Sequence, residues 1–174
     1  MNPISIVIPI LNEKKNLENL CNLIIKNLKF TKFEIIFIDD NSNDGSDEIL
    51  KRLSKRNKKI KYIIRKSEKR DLSKSCIEGF KKSSYQNILV MDGDLQHDPK
   101  DIKKIAKTFF KKKADIAVGS RDLFNKKNEG LDFLRLTTSK LLIIIVGLLL
   151  GKKTSDPMSG FFLFKKKIFK KFYK

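Results

Sequence analysis

Short apolar segments recur along the chain, separated by stretches whose apolar residues repeat at helical spacing. Ser5-Ile6-Val7-Ile8-Pro9, Phe33-Glu34-Ile35-Ile36-Phe37-Ile38, Ile60 to Ile64, Ile88-Leu89-Val90-Met91 and Asp115 to Val118 each predict a strand. The fourth, four apolar residues in a row, reads as buried on both faces, as in a parallel sheet. Asn16 to Lys26 predicts an amphipathic helix. Ser46 stands where it can cap the next helix, with Asp47 and Glu48 in the first turn. Leu72 to Lys82 and Pro99 to Lys112 predict two more helices, the last with Asp98 as its N-cap. Five strands alternating with helices predict one doubly wound, mainly parallel α/β domain with right-handed crossovers.

After Gly119-Ser120-Arg121 the pattern changes. Asn125 to Gly130 is polar and predicts a loop, and Leu131 to Leu150 predicts a helix. The wholly apolar part, Leu141 to Leu150, has ten residues, short of the roughly 18 needed to span hydrocarbon. A buried core helix and a helix lying in a membrane surface both fit. Lys140, Lys152 and Lys153 at its flanks favour the surface.

Composition changes this picture little. With 174 residues, 40% of them hydrophobic, the chain suits one globular domain. The net charge of +19 comes almost wholly from lysine scattered over every helix. Without a docking motif that is a poor nucleic-acid signal, and it favours coding bias together with proximity to anionic membrane over a nucleic-acid partner. Cys21 shares a helical face with Leu17, Leu20, Ile24 and Leu28, so it reads as reduced core, and neither it nor Cys76 has metal or redox spacing. Met1 leads almost directly into a strand, which implies no signal peptide.

The candidate chemistry lies after the fourth strand, in Asp92-Gly93-Asp94-Leu95-Gln96-His97. Side chains two apart on an extended chain point the same way, so Asp92, Asp94 and Gln96 can converge as oxygen ligands of Mg²⁺ or Mn²⁺. Gly93 would let a ligand approach the backbone. A solvated acidic turn is the plain alternative. The order strand, acidic loop, helix favours the site, because open α/β sheets bind ligands at that end.

Several segments together resemble the inverting family 2 glycosyltransferases, and within them the dolichyl- or polyprenyl-phosphate mannosyltransferases. They are Ile8-Pro9-Ile10-Leu11-Asn12-Glu13, Ile38-Asp39-Asp40-Asn41-Ser42-Asn43-Asp44-Gly45, Val90 to His97, Val118-Gly119-Ser120-Arg121, and Ser155-Asp156-Pro157-Met158-Ser159-Gly160-Phe161-Phe162. The resemblance implies the Rossmann-like GT-A fold of nucleotide-diphospho-sugar transferases, in one catalytic domain over residues 1–174. Residues to about 122 would form the nucleotide-sugar core, and about 123–174 the acceptor- and membrane-facing part. It implies that Pro9, Leu11, Glu13, Ile38 and Asp40 line the nucleotide pocket, with Asp40 accepting from the base. Asp92, Gly93, Asp94 and Gln96 would hold ribose, metal and diphosphate, and Arg121 would meet phosphate. Arg135 and Ser139, four apart on one helical face, would take the acceptor phosphate, and Asp156 is the next candidate.

The implied reaction is metal-dependent inverting transfer of mannose from GDP-mannose to a polyprenyl phosphate. It would take place on the cytoplasmic side, with the protein held peripherally at the membrane. Leu11 stands where the family usually has tyrosine, which keeps a UDP-sugar donor open. Arg70-Asp71-Leu72-Ser73 replaces a glycine-richer segment. Such enzymes continue for several tens of residues past the point matching Lys174, so the resemblance also implies a C-terminally truncated chain. An inactive fragment binding nucleotide or membrane is a further reading.

Overall fold

A computed structural model describes residues 2–29, 31–66, 69–119 and 159–173. Six strands form one sheet: β1 (Ile4–Ile10), β2 (Phe33–Asp39), β3 (Ile60–Ile64), β4 (Asn87–Val90), β5 (Ile116–Val118) and β6 (Phe162–Lys165). Their order is β3-β2-β1-β4-β6-β5. The first four run parallel, with Ile4 opposite Phe33, Ile10 opposite Asp39 and Val7 opposite Val90. The doubly wound, mainly parallel sheet is therefore as expected. A sixth strand joins it: β6 returns antiparallel beside β4, pairing Val90 with Phe162 and Asn87 with Lys165.

All seven residues of β1 and of β2 are buried, as strands covered on both faces require. Residue parity sorts them. Ile4, Ile6, Ile8, Phe33, Ile35 and Phe37 face α1 (Lys14–Asn27), α2 (Ser46–Arg56) and α4 (Asp101–Lys111), meeting Leu17, Cys21, Leu50 and Phe109. Val7, Ile36 and Ile38 face α3 (Leu72–Lys82) and α5 (Lys166–Phe172), with Ile88, Val90 and Phe164. Helix α3 lies so close to β1 that a Cβ on Gly79 would stand 2.3 Å from Val7 Cγ1, so only glycine fits there. Cys21 is core, and burial, then the nearby Glu18, pushes its thiol up to about 12. Both cysteines are free.

Two helix starts differ from expectation. Ser46 is the first residue of α2, not its cap: Gly45 precedes it with φ +85°. That turn brings Asp44 over the first turn, where its carboxylate accepts from the Ser46 amide at 3.0 Å and hydroxyl at 2.6 Å. Helix α4 opens at Asp101 rather than Pro99, and Asp98 accepts from the Lys100 amide at 2.9 Å in the turn leading in.

By its internal contacts the chain divides into two compact units, Met1–Ala117 with Phe161–Lys174, and Val118–Gly160. In the second, the Ser159 hydroxyl donates to the Gly119 carbonyl at 2.5 Å. Arg121, Arg135, Ser139, Asp156 and the apolar run 141–150 lie outside the described residues. Among the described residues no helix is long and apolar enough to cross a membrane.

Candidate active site

The carboxyl ends of β1, β2 and β4 meet at one edge of the sheet, and each continues into a polar loop. The loops after β1 and β2 are knitted together. The Asp40 amide donates to the Ile10 carbonyl at 3.0 Å, the Asn12 amide to Ser42 Oγ at 2.8 Å, and the Asn43 amide to Asn12 Oδ1 at 3.0 Å. Asn12 and Asn41 take positive φ, 58° and 64°, a conformation asparagine tolerates better than most residues. Asp39, fully buried, accepts from the Ser42 amide at 2.8 Å through one oxygen. Its second oxygen has no partner among the described residues.

Asp40 is tied more firmly. One carboxylate oxygen accepts from the Arg65 guanidinium and the other from the Asp71 amide at 2.6 Å. Arg65 also donates to the Asp71 carbonyl and to Ser75 Oγ, each at 3.0 Å. Both side chains of the pair are 8% exposed. Asp71 in turn caps α3, accepting from the Lys74 amide at 3.0 Å. This network anchors the segment from Arg70 to Ser75 beside the β1 loop. Between them lies a cleft of about 260 Å³ lined by Pro9, Leu11, Asp40, Arg70, Asp71 and Ser75, among others.

Pro9, Leu11 and Asp40, expected in a nucleotide pocket, are thus on one cleft. Ile38 is not: it is fully buried and packs on the α3 face with Val7 and Ile36. Strand parity explains this, since Ile38 shares the face of Ile36. Asp40 holds the cleft wall through Arg65 and the Asp71 amide, a role the sequence reading did not foresee. Arg65 itself went unnoticed. The signal available was an arginine closing a strand in a chain whose basic residues are nearly all lysine.

The acidic loop is built differently. Strand β4 stops at Val90, so the strand pleat does not align Asp92 with Asp94. A bend over 93–97, with Leu95 at φ +63°, sets their directions instead. Asp94 accepts from the Gln96 amide at 3.0 Å. Asp92 and Asp94 are half-buried and Gln96 is exposed. Gly93 sits in a tight contact: a Cβ there would stand 2.8 Å from Ile10 Cγ2 and 3.5 Å from Glu13 Cγ. The contact brings Glu13 and the end of β1 against the acidic loop, and Glu13 accepts from Asn16 Nδ2 at 2.6 Å. The His97 ring stacks on Phe161, centroids 5.1 Å apart.

Among the described residues no three His, Cys, Asp or Glu side chains form a metal cluster. A hard ion that takes one or two carboxylates and completes its shell with substrate phosphates needs no third. Asp94 spends one lone pair on Gln96 and keeps the rest of its acceptor capacity, so an all-oxygen pair fits such an ion. The edge therefore offers a narrow cleft with hydrogen-bonding walls and, across the Ile10–Gly93 contact, an anionic loop.

The model of the family described as Glycosyl transferase family 2 matches residues 5–173. The chain is 38% identical over 167 residues to the dolichol-phosphate mannosyltransferase of Pyrococcus furiosus, covering 95% of this chain and 47% of that protein. It is 32% identical over 173 residues to that of Saccharomyces cerevisiae, covering 94% and 61%. It thus spans about half the length of the curated relatives it matches. Among solved structures, glucosyl-3-phosphoglycerate synthase from Mycobacterium tuberculosis with Mn²⁺, UDP and glucosyl-3-phosphoglycerate superposes with a TM-score of 0.74 at 14% identity, covering 96% and 58%. A mannosyltransferase from Pyrobaculum calidifontis in complex with GDP-mannose and Mn²⁺ superposes at 0.68 and 14%, covering 98% and 46%. These structures share the fold.

Proposed function

The chain belongs to glycosyl transferase family 2, and we propose that it carries the donor site for transfer of mannose from GDP-mannose to a polyprenyl phosphate at a membrane surface. The observation that carries this reading is the junction at Gly93, which sets a cleft fit for a planar base beside an acidic loop fit for a metal-bound diphosphate. The similarity to two dolichol-phosphate mannosyltransferases supports the acceptor class.

In this reading Pro9, Leu11 and Asp40 flank the base. Asp40 meets it with lone pairs left over from Arg65 and Asp71. Asp92 and Asp94, with Gln96, would hold Mg²⁺ or Mn²⁺, which when bound offsets the charge of the departing nucleoside diphosphate. Glu13 packs beside Gly93 and would line the donor site there. A lipid phosphate is already anionic near neutral pH, so its oxygen can attack the anomeric carbon without a general base. The new C–O bond forms as the bond to the diphosphate breaks, in one inverting displacement that the protein favours by alignment. Arg121 at the donor phosphate, and Arg135 with Ser139 at the acceptor phosphate, belong to the proposal on sequence resemblance alone.

A second donor has one observation in its favour. Leu11, 37% exposed on the cleft, presents an aliphatic surface to the base, which leaves uracil as acceptable as guanine. Incubation with Mn²⁺, sugar-labelled GDP-mannose and a short polyprenyl phosphate should give a labelled lipid. Label from a UDP-sugar alone would select the second donor, and no labelled lipid from either would refute the transferase reading.

A further inference from the structure

On the α3 face of the sheet, away from the acidic loop's own residues, lies an apolar groove of about 350 Å³. Ile77 and Phe80 of α3, Phe162 and Phe164 of β6, and Phe169 and Phe172 of α5 line it. Phe80 packs edge-on against Phe164 and Phe169, with centroids 5.0 and 5.4 Å apart. The groove is open at its rim: Phe172 is 79% exposed, Ile116 52% and Tyr173 43%. Apolar surface of this kind on a folded protein marks a docking site more often than chance.

The rim is cationic. Helix α5 reads Lys166-Lys167-Ile168-Phe169-Lys170-Lys171-Phe172, and no acidic residue occurs from Phe161 to Tyr173. Asp115 takes Lys165 at 2.9 Å and Lys167 at 3.6 Å. Lys81 sits over the Tyr173 ring, 4.6 Å from its centroid. Lys170 and Lys171, both exposed, have no ion pair among the described residues. Burying Phe172 against a neutral apolar partner would draw these ammonium groups out of water uncompensated. A surface that accepts rings below and offers negative charge at their edge meets both demands.

We propose that this groove and the lysines of α5 dock on a bilayer carrying anionic headgroups. Phe172 and Tyr173 would enter the headgroup–acyl boundary while Lys167, Lys170 and Lys171 stay level with the phosphates. The proposal deepens the membrane part of the reading above, and it uses no residue of the donor site.

The test is co-sedimentation of the protein with vesicles of phosphatidylcholine alone or with about a third phosphatidylglycerol. Binding should favour the anionic vesicles by about tenfold or more and fall as salt rises. Reversing Lys170→Glu with Lys171→Glu, and separately Phe172→Ser, should each cost the anionic vesicles most of that advantage. Transfer of sugar to a short polyprenyl phosphate free in solution should be unchanged. Equal binding to both vesicle types would overturn the proposal, as would a partition unmoved by all three changes. So would a dimer in solution that Phe172→Ser dissolves without altering vesicle binding. Loss of soluble transfer in the unmodified protein, with anionic binding intact, would count against the transferase reading and leave the docking surface standing.

Discussion

On either side of β1, a strand ends in a pair of aspartates, and one member of each, Asp40 and Asp94, is held in an opposite way. At the end of β2, Asp40 spends an oxygen each on Arg65 and on the Asp71 amide, and Asp39 is sealed beneath the loop. At the end of β4, Asp94 makes one bond, to an amide two residues on, and stands half-buried in a bend. The lesson is about how acceptor capacity is used. A carboxylate engaged through both oxygens by its own chain shapes the protein, and one that bonds a single amide keeps more acceptor capacity. Both pairs look alike in sequence, and burial and partners separate them.

The comparison predicts where damage falls. Asp40→Ala would leave the buried Arg65 guanidinium only its longer ion pair to Glu78, 3.8 Å from its Nε, among the described residues, and should cost about 3 kcal/mol of stability in urea unfolding. A loss below about 1 kcal/mol would show that the pair is not structural.

A further carboxylate sharpens the point from the opposite end of β2. Glu34, 3% exposed, accepts from Ser5 Oγ and the Ser84 amide at 2.6 Å each and from Lys61 Nζ at 2.7 Å. Burial alone would push its carboxyl up, but the bonds from Lys61, Ser5 and Ser84 outweigh this and hold it below the ordinary 4.5. Its folded pKa is thus the lower one, so its contribution is complete above the unfolded value and lost as pH falls through the folded one. Glu34→Gln should cost about 1–3 kcal/mol at pH 7. The gap from the parent should close as pH drops below about 4.5. A gap independent of pH would contradict this.

The smallest effect belongs to the cleft. Leu11→Tyr adds a ring for a base to stack on, and should tighten nucleotide binding by roughly threefold to tenfold in titration calorimetry. An unchanged affinity for both GDP and UDP would mean that the base lies elsewhere.

Most of the architecture was legible because parallel strands buried on both faces leave apolar runs and amphipathic helices leave helical spacing. The antiparallel β6 was not legible as a strand, since Phe162 to Lys165 is four residues long and its place beside β4 is set by pairing across the sheet. Ser46 was misread because the cap arises from a left-handed Gly45, which swings Asp44 into position. Gly93 carried a signal of close approach, and its packing on Ile10 at the end of β1 could not be read locally, because the two lie far apart in sequence. Arg65 escaped for the same reason: its partners Asp40 and Ser75 lie 25 and 10 residues away. What local pattern could locate was the acidic loop. What it could not show was that Asp40 is engaged through both oxygens while Asp94 bonds one amide.

Manganese binding tests that distinction most directly. Free Mn²⁺ would be followed by electron paramagnetic resonance as it is titrated against the protein with saturating GDP, then against Asp94→Ala and Asp40→Asn. The account predicts that Asp94→Ala unfolds in urea like the parent yet weakens GDP-dependent Mn²⁺ uptake by about a hundredfold, while Asp40→Asn loses stability and keeps the ion. Uptake by Asp94→Ala equal to that of the parent would contradict it.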